Sequence, residues 1–257
     1  MWKAKESLLK SKGVVVIRYV EMSPLGESAI AVKLGERADE ETHMKVRVLS
    51  DHLAKHPFDG MVEFIPAFTS VTVVYDPVRL FLNDGMAPPE GELRYPYDIA
   101  KHQLLAIVEQ LNEGSVPEPK VVDIPVCYGD EFGADLEHVA EINGLSTDEV
   151  IRIHSGGRYL VYMLGFAPGF PYLGGMDKRI AAPRKPSPRL AIPPGTVGIA
   201  GEQTGIYPIE TPGGWQLIGR TPLSLFLPDR QPPTLLEAGN LIRFYPITRK
   251  EYDQWRE

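Results

Sequence analysis

The sequence predicts a chain of two domains, an α+β domain of the ferredoxin-like type followed by a mainly β, cyclophilin-like barrel. Three observations support this division. The first half alternates β-branched runs with segments of helical periodicity. A polar stretch with two prolines, Glu113–Lys120, is typical of a linker. After Leu164, glycine and proline dominate. We therefore expect domains at residues 14–113 and 121–250.

The first domain has six predicted elements in the order ββαββα, which favours a small α/β sandwich. Its first helix is indicated by Val46, Leu49 and Leu53, which are spaced by three and four residues. The Asp76-Pro77 pair is expected to end the last strand. The predicted strands are 14–21, 28–34, 61–65 and 70–75, and the predicted helices are 39–56 and 98–112.

The second domain begins with predicted strand 121–126. Two short helices follow within residues 135–154, and the second opens with a capping box at Ser146–Glu149. From Gly165 to Pro228, 22 of 64 residues are glycine or proline. Aromatic and aliphatic residues interrupt this segment, and disordered segments are poor in them. We therefore predict an ordered β-barrel with tight turns, on which the helical pair packs.

Composition excludes several classes of function. A net charge of −7 argues against nucleic acid as a partner, because phosphate binding needs a basic surface. In a DNA-binding helix-turn-helix, Asp148 and Glu149 would face the phosphates, so the helical pair is not expected to bind DNA. The single Cys127 fits a reducing cytoplasm. We find no signal peptide and no apolar run long enough to span a membrane, and we expect a cytoplasmic protein without membrane or nucleic-acid partners.

His154 is a candidate acid or base. It lies near the end of the second predicted helix and precedes Gly156-Gly157, where the main chain can approach a ligand closely. A purely structural role for a lone histidine is equally compatible with the sequence. No second histidine lies nearby, so we expect no metal site.

Five basic residues lie within twelve positions: Lys178, Arg179, Arg184, Lys185 and Arg189. No carboxylate occurs from Lys178 to Gly201, so the local charge is +5. Arginines of this kind bind carboxylates or phosphates through paired hydrogen bonds. A solvated loop is the alternative, and the charge pattern alone does not choose between them.

Two turns combine glycine with aromatic residues, Gly165–Tyr172 and Thr211–Trp215. Such turns can present main-chain N–H groups to an anion. They can equally form barrel corners closed by aromatic side chains. Spacing does not decide between these interpretations.

The same segments carry a resemblance to one bacterial family. It is the family called the 5-oxoprolinase B subunit, Kip-type sporulation kinase inhibitor or allophanate hydrolase subunit 1. The similarity covers nearly all of the second domain and extends more loosely to the first through Gly26–Ala29 and Ser70–Pro77. The strings that carry it in the second domain are His154–Tyr159, Gly165–Gly175, Pro183–Arg189, Ile192–Gly198, Gln203–Pro208 and Pro212–Pro222.

This resemblance implies the cyclophilin-like barrel and a heteromeric complex with the homologous 5-oxoprolinase C subunit and with the A subunit. The complex would hydrolyse 5-oxo-L-proline to L-glutamate with ATP, and the isolated chain is expected to be inactive. The sequence contains no G-x-x-x-x-G-K-[ST] phosphate loop. ATP is therefore expected to be bound by a partner protein or shared with it.

The chemistry that the resemblance implies, taken with the basic segment, leads to a hypothesis for the candidate residues. Arg184 and Arg189 are expected to hold a carboxylate or phosphate, and His154 is expected to orient or transfer a proton. The remaining predicted substrate-binding residues are Tyr207, Gly213, Gly214, Trp215 and Arg220.

Three functions remain open at this point: one component of a multi-subunit enzyme, an inhibitor that binds a sporulation histidine kinase, and a carboxyltransferase-like half-site related to urea carboxylase. Genomic neighbourhood separates the first two. A biotin-carrier domain fused to the partner would favour the third.

Overall fold

The computed structural model describes residues 17, 20–37, 39–83, 95–111 and 119–256. The chain forms two compact units, residues 1–118 and 119–257. The domain limits 14–113 and 121–250 stay a prediction, because the segment between Leu111 and Pro119 lies outside the described residues. No helix in the described ranges combines the length and the apolar character needed to cross a membrane.

The first unit contains a four-stranded antiparallel sheet in the order β1-β2-β4-β3 and three helices. Five of the six predicted elements are found close to their expected bounds, whereas most of the strand predicted over residues 14–21 lies outside the described residues. The elements are β1 (Glu21–Pro24), β2 (Ala29–Lys33), α1 (Glu40–Lys55), β3 (Met61–Pro66), β4 (Ser70–Tyr75), α2 (Pro77–Asn83) and α3 (Pro96–Leu111).

Helix α2 was not predicted. Asp76 ends β4 as expected, but its carboxylate also accepts hydrogen bonds from the main-chain N–H groups of Val78 and Arg79, at 2.9 and 3.0 Å. Pro77 then occupies the first helical position, where its missing N–H costs nothing. The same dipeptide therefore ends a strand and begins a helix.

Strand β4 is the centre of this unit. Its Val71, Val73 and Tyr75 alternate into the core, where Leu49 of α1 and Leu104 of α3 are also fully buried. Helix α1 connects β2 to β3 along the chain, and β4 lies between these two strands in the sheet. This connection is a split β-α-β arrangement. The ferredoxin-like assignment of the unit stays a prediction.

The second unit is a closed barrel of seven strands in the order β10-β7-β6-β13-β5-β12-β9, consistent with a cyclophilin-like barrel. Strands β8 and β11 form a separate two-stranded ribbon. The strands are β5 (Val121–Tyr128), β6 (Tyr159–Leu164), β7 (Pro171–Gly174), β8 (Arg189–Ile192), β9 (Thr196–Ala200), β10 (Gln203–Ile206), β11 (Thr211–Gly213), β12 (Gln216–Arg220) and β13 (Leu241–Pro246). The helices are α4 (Leu136–Ile142), α5 (Thr147–Gly156) and α6 (Arg249–Asp253), with a 3-10 turn at Lys178–Ile180.

The predicted helical pair is confirmed as α4 and α5. Ser146 accepts a hydrogen bond from the main-chain N–H of Glu149, whose side chain bonds back to Ser146, as the capping box requires. Val139 of α4 and Val150 of α5 are fully buried in the barrel core. The pair therefore packs on the barrel, as predicted.

The turn 129–135 attaches the start of α4 to β12. Gly129 N–H donates to the carbonyl of Ile218 at 3.1 Å, and Asp135 N–H donates to that of Leu217 at 2.9 Å. A Cβ atom at Gly133 would overlap the main chain of both Ile218 and Gly129. Only glycine allows this close approach, which fixes the position of Asp135.

Gly133→Ala should therefore lower the free energy of unfolding, by about 1–3 kcal/mol for an overpacked site. Gly156→Ala is the matched control, because a Cβ atom there meets nothing within 4 Å. The measurement is denaturant unfolding of both variants. Equal stability of the two would show that the turn relaxes without cost.

Candidate anion-binding site

The ribbon β8–β11 brings most of the predicted substrate-binding residues together. Arg189 lies opposite Gly213 in the antiparallel register. Lys185 N–H donates to the carbonyl of Gly214 at 2.7 Å, and Arg189 Nη1 lies 3.5 Å from the carbonyl oxygen of Trp215. The basic segment and the glycine turn thus form one surface.

Aromatic side chains form the floor beneath the ribbon. Phe170 meets Tyr207 and Trp215 edge-on, with ring centroids 5.5 and 5.7 Å apart. Burial raises the pKa of Tyr207 to about 12, so its phenol stays neutral. A Cβ atom at Gly213 would overlap the Tyr207 hydroxyl, so glycine lets the ribbon lie against this floor. Tyr207 and Trp215 are buried and support the ribbon from below, and their role in substrate binding stays a prediction.

A carboxylate that the sequence did not indicate lies at the centre of this site. Asp135 Oδ1 accepts hydrogen bonds from Arg189 Nη2 at 2.8 Å and from Lys185 Nζ at 3.2 Å. Its Oδ2 accepts from the main-chain N–H of Leu217 at 2.7 Å. Burial opposes ionisation of Asp135, but the hydrogen bonds from Arg189, Leu217 and Lys185 outweigh it and hold the pKa of the carboxyl below its ordinary value.

The expected local charge of +5 is therefore corrected. Residues outside the carboxylate-free stretch supply counter-charges in space: Asp135 pairs with Lys185 and Arg189, Glu202 with Lys178, and Asp177 with Arg179. Arg184 is exposed and makes no hydrogen bond or ion pair within the described part of the chain. The three carboxylates reduce the charge of the cluster from +5 to +2, so the basic surface is smaller than the sequence suggested.

Arg220 does not join this site. It is the last residue of β12, opposite Thr196 of β9, whereas Trp215 precedes the first residue of that strand. Its guanidinium stacks on Phe132, 4.7 Å from the ring centroid, and Arg249 stacks on the same ring. The prediction that Arg220 contacts the substrate together with Arg189 is not supported by this placement.

His154 is fully buried inside the barrel. Its Nε2 lies 2.9 Å from Thr204 Oγ1, and its Nδ1 lies 2.8 Å from the Tyr128 hydroxyl. Thr204 uses its only proton on the carbonyl of Gly198, so Nε2 must donate to Thr204 and Nδ1 must accept from Tyr128.

Burial lowers the pKa of His154 to about 3, so the ring is neutral. Both ring nitrogens are used and the imidazole has no access to solvent. This placement does not support the expected proton-transfer role, and we assign His154 no chemical step. Among the described residues, no group of three or more histidine, cysteine, aspartate or glutamate side chains is placed to hold a metal ion.

His154→Gln should weaken the acid sensitivity of folding. The unfolded histidine binds a proton near pH 6.5, whereas the folded one does so only near pH 3. Its stability contribution is therefore complete above pH 6.5 and is lost as the pH falls toward 3, by about 2 kcal/mol at pH 5. Unfolding free energies at pH 7 and pH 5 test this.

His138→Gln is the matched control for this test, because His138 is exposed on α4. The drop in stability from pH 7 to pH 5 should persist in that variant and shrink in His154→Gln. An unchanged drop in His154→Gln would contradict a buried, neutral imidazole.

The comparisons with known proteins agree on one family. A model described as carboxyltransferase domain, subdomain C and D, matches residues 20–236. The chain is 50% identical over 243 residues to the 5-oxoprolinase B subunit of Bacillus subtilis (strain 168), covering 95% of this chain and 99% of that protein. It is 40% identical over 228 residues to the 5-oxoprolinase B subunit of Escherichia coli O157:H7, covering 86% and 94%.

A solved structure shows the same fold. The crystal structure of TTHA0988 has a TM-score of 0.70 and 34% identity, and the similarity covers 86% of this chain. This chain spans only 40% of the length of that one. Taken with the full-length matches, these findings show that the chain belongs to the family of 5-oxoprolinase B subunits and carries its carboxyltransferase subdomains C and D.

Proposed function

We propose that the chain is the B subunit of a heteromeric 5-oxoprolinase, which hydrolyses 5-oxo-L-proline to L-glutamate with ATP together with the A and C subunits. The observation that carries this proposal is the 50% identity that extends over 95% of the chain and 99% of a relative of that name. We also propose that the complex is cytoplasmic.

The chemistry of the reaction suits the surface around the ribbon. The substrate carries a carboxylate, and phosphorylation of its lactam carbonyl would create further negative charge. The Arg184 side chain is exposed, and the Arg189 side chain is 28% exposed. Charge-assisted hydrogen bonds from such side chains stabilise carboxylates and transferring phosphoryl groups. In our proposal, Arg184 and Arg189 hold one of these anions above the floor of Tyr207 and Trp215, beside the main chain of Gly213 and Gly214.

ATP is assigned to a partner protein or to a site shared with one. This follows from the sequence, which lacks a phosphate loop, and it fits a chain that is inactive on its own. The ATP-dependent chemistry then requires the assembled complex. This chain's own residues would bind and orient the acidic group.

The role of a histidine-kinase inhibitor is not favoured, because the full-length relatives in two bacteria are named as enzyme subunits. A carboxyltransferase half-site is the second candidate, since the matching family model has that description. A biotin-carrier domain in the partner protein would favour this candidate.

Co-expression with the candidate A and C subunits tests the proposed function. The purified complex should release glutamate from 5-oxoproline only when ATP is present. An intact complex that releases no glutamate would overturn the proposal.

Arg184→Ala and Arg189→Ala should each lower kcat/KM of the complex by about 10–100-fold. Each variant loses a charge-assisted hydrogen bond to the anion, which contributes about 1.5–3 kcal/mol. Arg179→Ala is the matched control, because this exposed arginine of the same segment pairs with Asp177. Activity and assembly are measured for all three variants. Loss of assembly in Arg184→Ala would identify a protein–protein interface instead of a ligand site.

A further inference from the structure

One buried carboxylate organises the cationic surface from a distant part of the chain. Asp135 precedes α4 and lies 54 positions before Arg189. Its side chain is only 7% exposed, whereas the side chains of Lys185 and Arg189 are about one-third exposed, at 32% and 28%. The carboxylate thus lies beneath the two cations and leaves part of each open to solvent.

Asp135 itself cannot move freely. The main-chain N–H of Leu217 holds Oδ2, and Asp135 N–H donates to the carbonyl of the same residue. Both bonds connect Asp135 to barrel strand β12, which is a rigid support. The carboxylate is therefore a fixed reference point for the ribbon above it.

The guanidinium of Arg189 is held at two of its nitrogens. Nη2 contacts Asp135 at 2.8 Å, and Nη1 points to the carbonyl oxygen of Trp215 at 3.5 Å. Two contacts from different segments fix the plane of the group, whereas one contact would let it rotate. The other N–H groups of Arg189 then keep a defined direction toward a ligand.

We propose that Asp135 is a positioning residue of the anion-binding site, which acts through Arg189 by fixing the orientation of its guanidinium. This inference rests on the proposed function, in which Arg189 holds the substrate carboxylate or a transferring phosphoryl group. Asp135 has no contact with the ligand in this account.

Removing the negative charge of Asp135 is expected to affect ligand affinity and the alignment of Arg189 in different ways. The charge partly neutralises Arg189 and Lys185 and so weakens their attraction for an anion. Removing the charge should therefore leave ligand affinity unchanged or raise it, while the alignment of Arg189 is lost. Misalignment by about 1 Å can cost about 100-fold in rate. Loss of folded protein would lower kcat at constant KM, so a decrease in KM, together with the orientation of the Arg189 guanidinium itself, distinguishes positioning from support of the fold.

Asp135→Asn is the test in the reconstituted complex. The amide oxygen can still accept from Leu217, but the amide nitrogen faces Arg189 and repels it. We expect kcat to fall by about 10–100-fold while KM for 5-oxoproline stays constant or decreases. Asp177→Asn is the matched control, because it breaks the exposed pair with Arg179 and should leave both constants near wild type. A kcat that stays at the wild-type value would overturn the proposal.

A double variant tests whether Asp135 acts through Arg189. Arg189→Lys keeps the positive charge but loses the planar, two-point contact. Asp135→Asn should lower kcat little further in that background, because the group that it orients is already gone. Losses that multiply would overturn the proposal. If Asp135→Asn fails to fold, the single variant Arg189→Lys tests the proposal instead. Wild-type kinetics in Arg189→Lys would show that a fixed guanidinium orientation is not needed and would overturn the proposal.

A spectroscopic measurement keeps this inference separate from the proposed function. In the isolated chain, the NMR signal of the Arg189 Nε–H group, assigned by its loss in Arg189→Lys, should be sharp in wild type and in Asp177→Asn. It should broaden or disappear in Asp135→Asn. A signal that persists there would overturn the role of Asp135, whereas an inactive wild-type complex would overturn the proposed function alone.

Discussion

The ion pair of a buried carboxylate with two partly exposed cations is the interaction on which the candidate site depends. Asp135 is nearly removed from water, and an unpaired charge in that position would be strongly unfavourable. The cost of burying this charge is offset by hydrogen bonds from Arg189, Leu217 and Lys185, which keep the carboxyl ionised. If the ribbon moved away from the barrel, Asp135 would lose its ion pairs with Arg189 and Lys185. The ion pairs therefore hold the ribbon against the barrel.

This requirement explains the close turn before α4. Gly133 brings the main chain of residues 129–135 against β12, and Asp135 reaches Leu217 from both its main chain and its side chain. A bulkier residue in the turn would move the carboxylate away from the ribbon. The anion-binding surface is therefore determined partly by a glycine that lies outside it.

A second buried polar side chain, in the interior of the barrel, is stabilised by neutral hydrogen bonds instead of an ion pair. His154 is kept neutral by burial, and its two ring nitrogens are satisfied by Tyr128 and Thr204. Because the hydroxyl of Thr204 donates to Gly198, the direction of each hydrogen bond in the chain is determined. A polar network of this kind fixes the position of α5 against the strands at little electrostatic cost. The sequence allowed either role for this histidine, and only the burial of the ring distinguishes them.

Local chemistry explains which parts of the structure could be predicted from the sequence. The capping box at Ser146, the apolar spacing of α1 and the alternation in β4 each depend on neighbours within a few residues, so they are visible in the sequence. Helix α2 was not predicted, because the Asp76-Pro77 pair is equally typical of a strand end that leads into a loop. The partners of the basic segment could not be found in this way, because Asp135 lies 50 positions from Lys185 and only the folded barrel brings them together. For the same reason Arg220, which shares a sequence motif with Trp215, is directed by β12 to a different place.

The exposure of the ribbon bears on how the site can function. Arg184 is exposed, and Leu190 on β8 is 93% exposed. An arginine in contact with water binds a carboxylate weakly, because water and salt screen the attraction. The same arginine binds far more strongly once water is excluded. An anion site of this construction therefore gains most of its strength when another surface covers it, and in the proposed function a partner protein provides that cover. Asp135 also lowers the entropic cost of binding. Because it already holds Arg189 in place, the arginine side chain loses less conformational entropy when the ligand and the partner protein bind.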